Sequence, residues 1–116
     1  MSVSYSEMVA ALVKPGVDII REATPEKFNL LHMAIGVSGE AGELLDAVKK
    51  AVIYNKQLDM DNMIEELGDL EFYMEGVRQA IGVSRDKCLE ANTKKLMIRY
   101  NGKYSNQAAQ NRADKA

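Results

Sequence analysis

Apolar residues recur at steps of three and four along most of this chain, and no stretch alternates in the manner of a strand. Ser4 can cap a first helix through about Lys14, with Met8, Ala11 and Leu12 on its inner side, and Pro15-Gly16 then stops it. Thr24-Pro25-Glu26 is a second start: a capping threonine, proline in the first turn, and an acid at the positive end of the helix dipole. From there the helical period runs to about Ile53. After Asn55-Lys56-Gln57-Leu58, either Asp59 or Asp61 can cap a third helix, which ends at Gly82. Ser84 caps a fourth, reaching about Tyr100, and Ser105 opens a last short turn. The predicted class is all-α, a four-to-five-helix bundle in one domain spanning 1–116, with its core over about 24–104 and a loosely held tail at 105–116.

The two long helices each carry an apolar arc. Leu31, Ala34, Ser38, Leu45, Val48 and Val52 form the first; Met60, Met63, Ile64, Leu67, Leu70, Met74, Val77 and Ile81 form the second. Thirty helical residues span roughly 45 Å, whereas a compact domain of this size has a radius of gyration of about 13 Å. Arcs of that length are expected to be covered by a second copy, so the bundle is completed by oligomerisation.

Beside those arcs lie two similar stretches, Glu40-Ala41-Gly42-Glu43-Leu44 and Glu66-Leu67-Gly68-Asp69-Leu70. Acids three residues apart share a helix face, about 60° apart around the axis and roughly 4.5 Å along it. Glu40 and Glu66 fall on matching edges of their arcs, with Glu43 and Asp69 one step further out. Four carboxylates on one border repel one another and resist desolvation unless a cation sits among them. The two pairs do not share one level in a plain antiparallel hairpin: Glu43 precedes the connector by more residues than Glu66 follows it. Either the connector runs back along the hairpin or the earlier helix ends early. Gly36, Gly39 and Gly42 weaken that helix by up to about 1 kcal/mol each relative to alanine, which points either to close helix packing or to ligand approaching the backbone.

Composition narrows the chemistry. A net charge of −2 over 116 residues offers no general basic face for nucleic acid. Cys88 is the single cysteine, which excludes an internal disulfide and accords with a reducing, cytoplasmic setting. No apolar run is long enough for a membrane span. With one histidine and one cysteine, zinc is a poor fit; carboxylates alone suit a hard, oxygen-preferring ion, best Mg2+, for which Mn2+ could substitute. Such a cluster suits phosphate-ester or phosphoanhydride hydrolysis. Glu43 is the choice for orienting or deprotonating water, though nothing in the sequence separates it from Glu40 in that role. Asn92, Lys95, Arg99 and Lys103 recur at helical spacing and form a stripe that can hold phosphates. His32 lies about 12 Å up the helix from Glu40, too far to share a metal; it is either a surface or interface histidine or one that helps hold a nucleoside.

Those same residues resemble the MazG-like, all-α nucleoside triphosphate pyrophosphohydrolases, especially their small single-domain form. The likeness runs through LLHMAIGVSGEAGELLDAVKK, IEELGDLEFY and ANTKKLMIRYNGKYS. It implies that Glu40, Glu43, Glu66 and Asp69 hold Mg2+, and that Asn92, Lys95, Arg99 and Tyr100, with Lys103 close behind, serve the substrate phosphates. It also implies hydrolysis of (d)NTPs to monophosphate and pyrophosphate by homodimers or homotetramers whose sites draw on more than one chain. Two alternatives stand beside it: a non-catalytic helical assembly module, and a phosphoribosyl-nucleotide pyrophosphohydrolase on the same helices.

Overall fold

The computed structural model describes residues 2–115. Among them are no strands but six α-helices, one more than the upper expectation: α1 Tyr5–Leu12, α2 Gly16–Glu22, α3 Pro25–Ile53, α4 Met60–Ile81, α5 Arg85–Tyr100 and α6 Asn106–Asn111, followed by a 3-10 turn at Ala113–Lys115. The capping chemistry works as expected. The side chains of Ser4, Thr24, Asp59, Ser84 and Ser105 each accept a hydrogen bond from the backbone N–H three residues on, and Asp59 rather than Asp61 opens α4. The unforeseen helix is α2. Pro15-Gly16 reads as a stop for α1, yet proline's fixed φ also suits a helix start, and Pro15 occupies the N-cap of α2 without any capping side chain. Ion pairs Arg21–Asp18 and Lys14–Glu22 hold it locally.

The molecule is built on the α3–α4 hairpin. Two glycines set how closely its helices approach. A Cβ on Gly36 would enter the Tyr73 ring, and one on Gly76 would strike the Met33 side chain, whereas Gly39 and Gly42 face open space. Close packing therefore accounts for Gly36 but not for the other two glycines of α3. The pairs 36/73 and 33/76 also define the register. Carried forward, that register places Met60 level with Lys49, so α3 overhangs the start of α4 by about one turn. The connector covers the overhang by running back: the Lys56 N–H donates to the Ala51 carbonyl at 3.1 Å, and Asn55 takes a left-handed φ of 51°.

The face that meets the partner helix differs from the expected arc. On α3 the half-buried positions include Leu30, Met33, Val37, Glu40, Leu44, Ala47 and Ala51, and on α4 Met63, Glu66, Leu70, Tyr73 and Val77. Both series step by threes and fours, as in an antiparallel coiled-coil seam. The predicted arc of α3 lies one residue on, about 100° around the helix, and its larger members face outward, with Leu45 68% and Val52 70% exposed. On α4, Met63, Leu70 and Val77 do enter the seam, while Ile64 is 65% exposed.

Consequently no hydrophobic side chain among the described residues is fully buried. The one buried residue is Arg78, at 7% exposure. Its Nε donates to Glu75 at 2.8 Å and its Nη2 to Glu71 at 2.6 Å, and the two carboxylates hold the guanidinium pKa above its ordinary value against the cost of burial. Arg85, at the start of α5, lies 3.8 Å from Glu71 and ties the start of α5 to the middle of α4. Beyond that junction, α5 packs mainly against α6 and the 3-10 turn. The stretch 105–116, expected as a loosely held tail, is thus folded onto α5 over its described part.

Candidate metal and phosphate site

Glu40 and Glu66 stand in the hairpin seam, at positions where the three-four pattern elsewhere places apolar or small residues. The expectation had them on the rim of an apolar arc; they are inside the contact between the two helices. By the register above, Asp69 lies opposite Glu40, one turn from Glu66. Glu40, Glu66 and Asp69 each offer a carboxylate oxygen within 4.8 Å of the other two. Glu43 is not in that group. It is exposed on α3 one turn beyond Glu40, close enough for its charge to act on both Glu66 and Lys50.

Glu66 bears the electrostatic cost of this grouping. Its Oε2 is enclosed and has no hydrogen-bond partner. Burial pushes its carboxyl above the ordinary carboxylate range, as do the adjoining Glu40 carboxyl and the charges of Glu40, Glu43 and Asp69. A buried carboxylate oxygen without a donor is expensive in a folded protein, and no lysine or arginine pairs with it. Opposite ligands of Mg2+, bound at roughly 2.1 Å, stand about 4.2 Å apart, so three oxygens within 4.8 Å of one another need only small side-chain adjustments to meet on one ion. Glu40, Glu66 and Asp69 are the residues that fit one.

The expected phosphate contacts are less united. Asn92 and Lys95 are exposed on α5, one turn apart. Arg99, in its last turn, is bonded to Asp114. Lys103 does not continue the stripe: the helix ends at Tyr100, and Asn101 and Gly102 take left-handed φ values of 49° and 87°. Lys103 lies instead beside Tyr100 and Tyr104, whose rings stand 5.6 Å apart, in a shallow cleft with Leu96 and Met97. Because α5 makes its main contacts with the C-terminal segment, the stripe is not packed along the acid-bearing hairpin of the same chain.

His32 lines a separate cleft of about 350 Å3 between α3 and α4, with Asn29, Met33, Gly76, Gln79 and Ala80. It presents amide and imidazole groups over an apolar floor, the mixture that suits a flat heterocycle. Asn29 and Gln79 escape a reading of the sequence because they belong to different helices; only the close approach at Gly76 brings them to one opening.

A family model described as the MazG nucleotide pyrophosphohydrolase domain matches residues 28–102, which takes in all four acids, His32, Asn92, Lys95, Arg99 and Tyr100 and stops one residue short of Lys103. No curated protein and no solved structure gives a match.

Proposed function

The chain belongs to the MazG nucleotide pyrophosphohydrolase family, and from that premise we propose that it hydrolyses (d)NTPs to the monophosphate and pyrophosphate with Mg2+, or Mn2+ in its place. The observation that carries this reading is the enclosed, unbonded Oε2 of Glu66, grouped with oxygens of Glu40 and Asp69 in a helix seam. Those three residues would hold the ion. When bound, it supplies positive charge for the phosphate oxygens and acidifies water.

Glu43 sits beside the cluster without belonging to it, so its carboxylate stays available to orient the attacking water and take its proton. This favours Glu43 over Glu40, whose carboxylate belongs to the group that would hold the ion. Lys95 and Arg99 neutralise the outer phosphates, which leaves the α-phosphorus toward the acids and makes pyrophosphate the leaving group. Since α5 does not lie along its own hairpin, the assembled homodimer or homotetramer would bring that stripe to an acid cluster. The His32 cleft, about two turns from Glu40 along α3, would take the base.

Hydrolysis of a (d)NTP panel in oxygen-18 water tests the reaction. Label is expected in the nucleoside monophosphate and not in pyrophosphate; orthophosphate and a diphosphate would mean attack at the γ-phosphorus and overturn the assignment. Mg2+ binding with no turnover of any nucleotide would leave a helical assembly module. Lys95→Ala should lower kcat/KM roughly ten- to hundredfold, the scale of a lost charge-assisted bond, while leaving stabilisation by Mg2+ intact.

A further inference from the structure

Asp114 lies beyond the family-matched segment, yet it is the most enclosed acid to which the structure gives a cationic partner. Its side chain is 4% exposed and that of Arg99 15%. Arg99 Nε donates to Oδ1 at 2.7 Å and Nη2 to Oδ2 at 3.2 Å, a side-on fork across a separation of 15 residues. The segment between them is built for this closure. Left-handed Asn101 and Gly102 reverse the chain after α5, Ser105 caps α6, and left-handed Arg112 ends it and turns the chain into the 3-10 turn that carries Asp114.

We infer that Asp114 is a positioning residue for phosphate binding by Arg99, an inference that rests on the pyrophosphohydrolase reading. A guanidinium has five N–H donors in a rigid plane. The side-on fork uses the Nε hydrogen and one on Nη2, leaving the Nη1 pair and the second Nη2 hydrogen on the far edge. That edge is the end-on fork that matches two phosphate oxygens. Arg99 also stands in the last turn of α5, where the helix dipole favours a cation, with its Cζ 5.9 Å from the centre of the Tyr100 ring. A free arginine must give up rotamer freedom when it grips a phosphate; this one has already been ordered by the tail. The opposing effect is that the Asp114 charge offsets part of the attraction. Because the carboxylate takes the edge a phosphate would not use, ordering outweighs that offset.

The experiment measures binding of inorganic tripolyphosphate by calorimetry, and nucleotide turnover, for the full chain, Asp114→Asn, Asp114→Ala, Arg99→Ala and the Arg99→Ala/Asp114→Ala double variant. Asp114→Ala should weaken tripolyphosphate binding roughly three- to tenfold, the scale of one side chain's ordering cost. KM should rise in proportion with kcat nearly unchanged, and Asp114→Asn, which keeps an acceptor oxygen, should lie between. In the Arg99→Ala background the Asp114 substitution should have no further effect, a coupling that a merely structural residue does not produce. Tighter binding by Asp114→Ala or Asp114→Asn would mean that the carboxylate competes with phosphate; unchanged binding would mean that it only anchors the tail. Either overturns the inference, as does a wild-type chain that fails to bind tripolyphosphate. If wild type binds tripolyphosphate but cleaves no nucleotide, the pyrophosphohydrolase reading falls, while the affinities still decide the role of Asp114.

Discussion

At the scale of single residues, two carboxyl groups are displaced in opposite directions. Glu66 is pushed up by burial and by its acidic neighbours, and Asp114 is held below its ordinary 3.8 by the hydrogen bonds and charge of Arg99. For Glu66 the consequence is repulsion that a cation relieves. Glu66→Gln should raise the melting temperature of the metal-free protein, because one repelling charge is gone, and should abolish the rise that millimolar Mg2+ gives wild type by binding only the folded state. A variant that still gains stability from Mg2+ as wild type does would refute a shared site. For Asp114 the sign follows from the depressed folded value. Its stabilising contribution is present above the ordinary 3.8 and is lost as pH falls through the lower folded value. Amide protection factors across 105–115, referred to the intrinsic exchange rate at each pH, should therefore fall on acidification below about pH 4, the ordinary aspartate range, and in Asp114→Asn they should be low at neutral pH already.

At the scale of the elements, the hairpin's glycines separate into two kinds. Gly36→Ala drives a methyl into the Tyr73 ring, a rigid neighbour in the seam, and should cost about 1–3 kcal/mol as an overpacked contact. Gly76→Ala meets the flexible Met33 side chain, which can turn aside, so its cost should be smaller. Gly39→Ala and Gly42→Ala meet nothing in the chain and should gain up to about 1 kcal/mol in helix propensity. Urea unfolding of the four variants gives the ranking directly. A loss at Gly39 or Gly42 would show that another molecule packs on that face.

At the scale of the whole molecule, the radius of gyration is 20.3 Å, against about 13 Å for a compact domain of this length. With no hydrophobic side chain among the described residues fully buried, one copy gains only part of the hydrophobic term that ordinarily balances chain entropy. We therefore predict a homo-oligomer that survives dilution to micromolar concentration. Light scattering that reports a stable 12.9 kDa species would contradict this. Leu45→Glu, on the exposed side of α3, should dissociate the assembly while leaving the hairpin seam untouched.

What the sequence determined by itself is what local chemistry controls. Caps act on the three residues that follow them, so the starts at Ser4, Thr24, Ser84 and Ser105 were legible, the start of α4 was narrowed to Asp59 or Asp61, and the four acids and their spacing were plain. The start of α2 was not, because Pro15-Gly16 carries the same letters whether it stops one helix or begins the next. Only the tertiary structure decided which stripe of α3 faces α4. Periodicity gives each residue's angle about its own axis but not the rotation of one helix against another, and the stripe through Leu30, Met33 and Val37 closed the hairpin because Gly36 and Gly76 let the backbones approach. That rotation moved Glu40 and Glu66 from the rim into the seam, and the overhang at the connector brought the two acid pairs level, Asp69 opposite Glu40 and Glu43 opposite Glu66. The Arg99–Asp114 pair likewise depended on two left-handed turns whose combined path no spacing reveals.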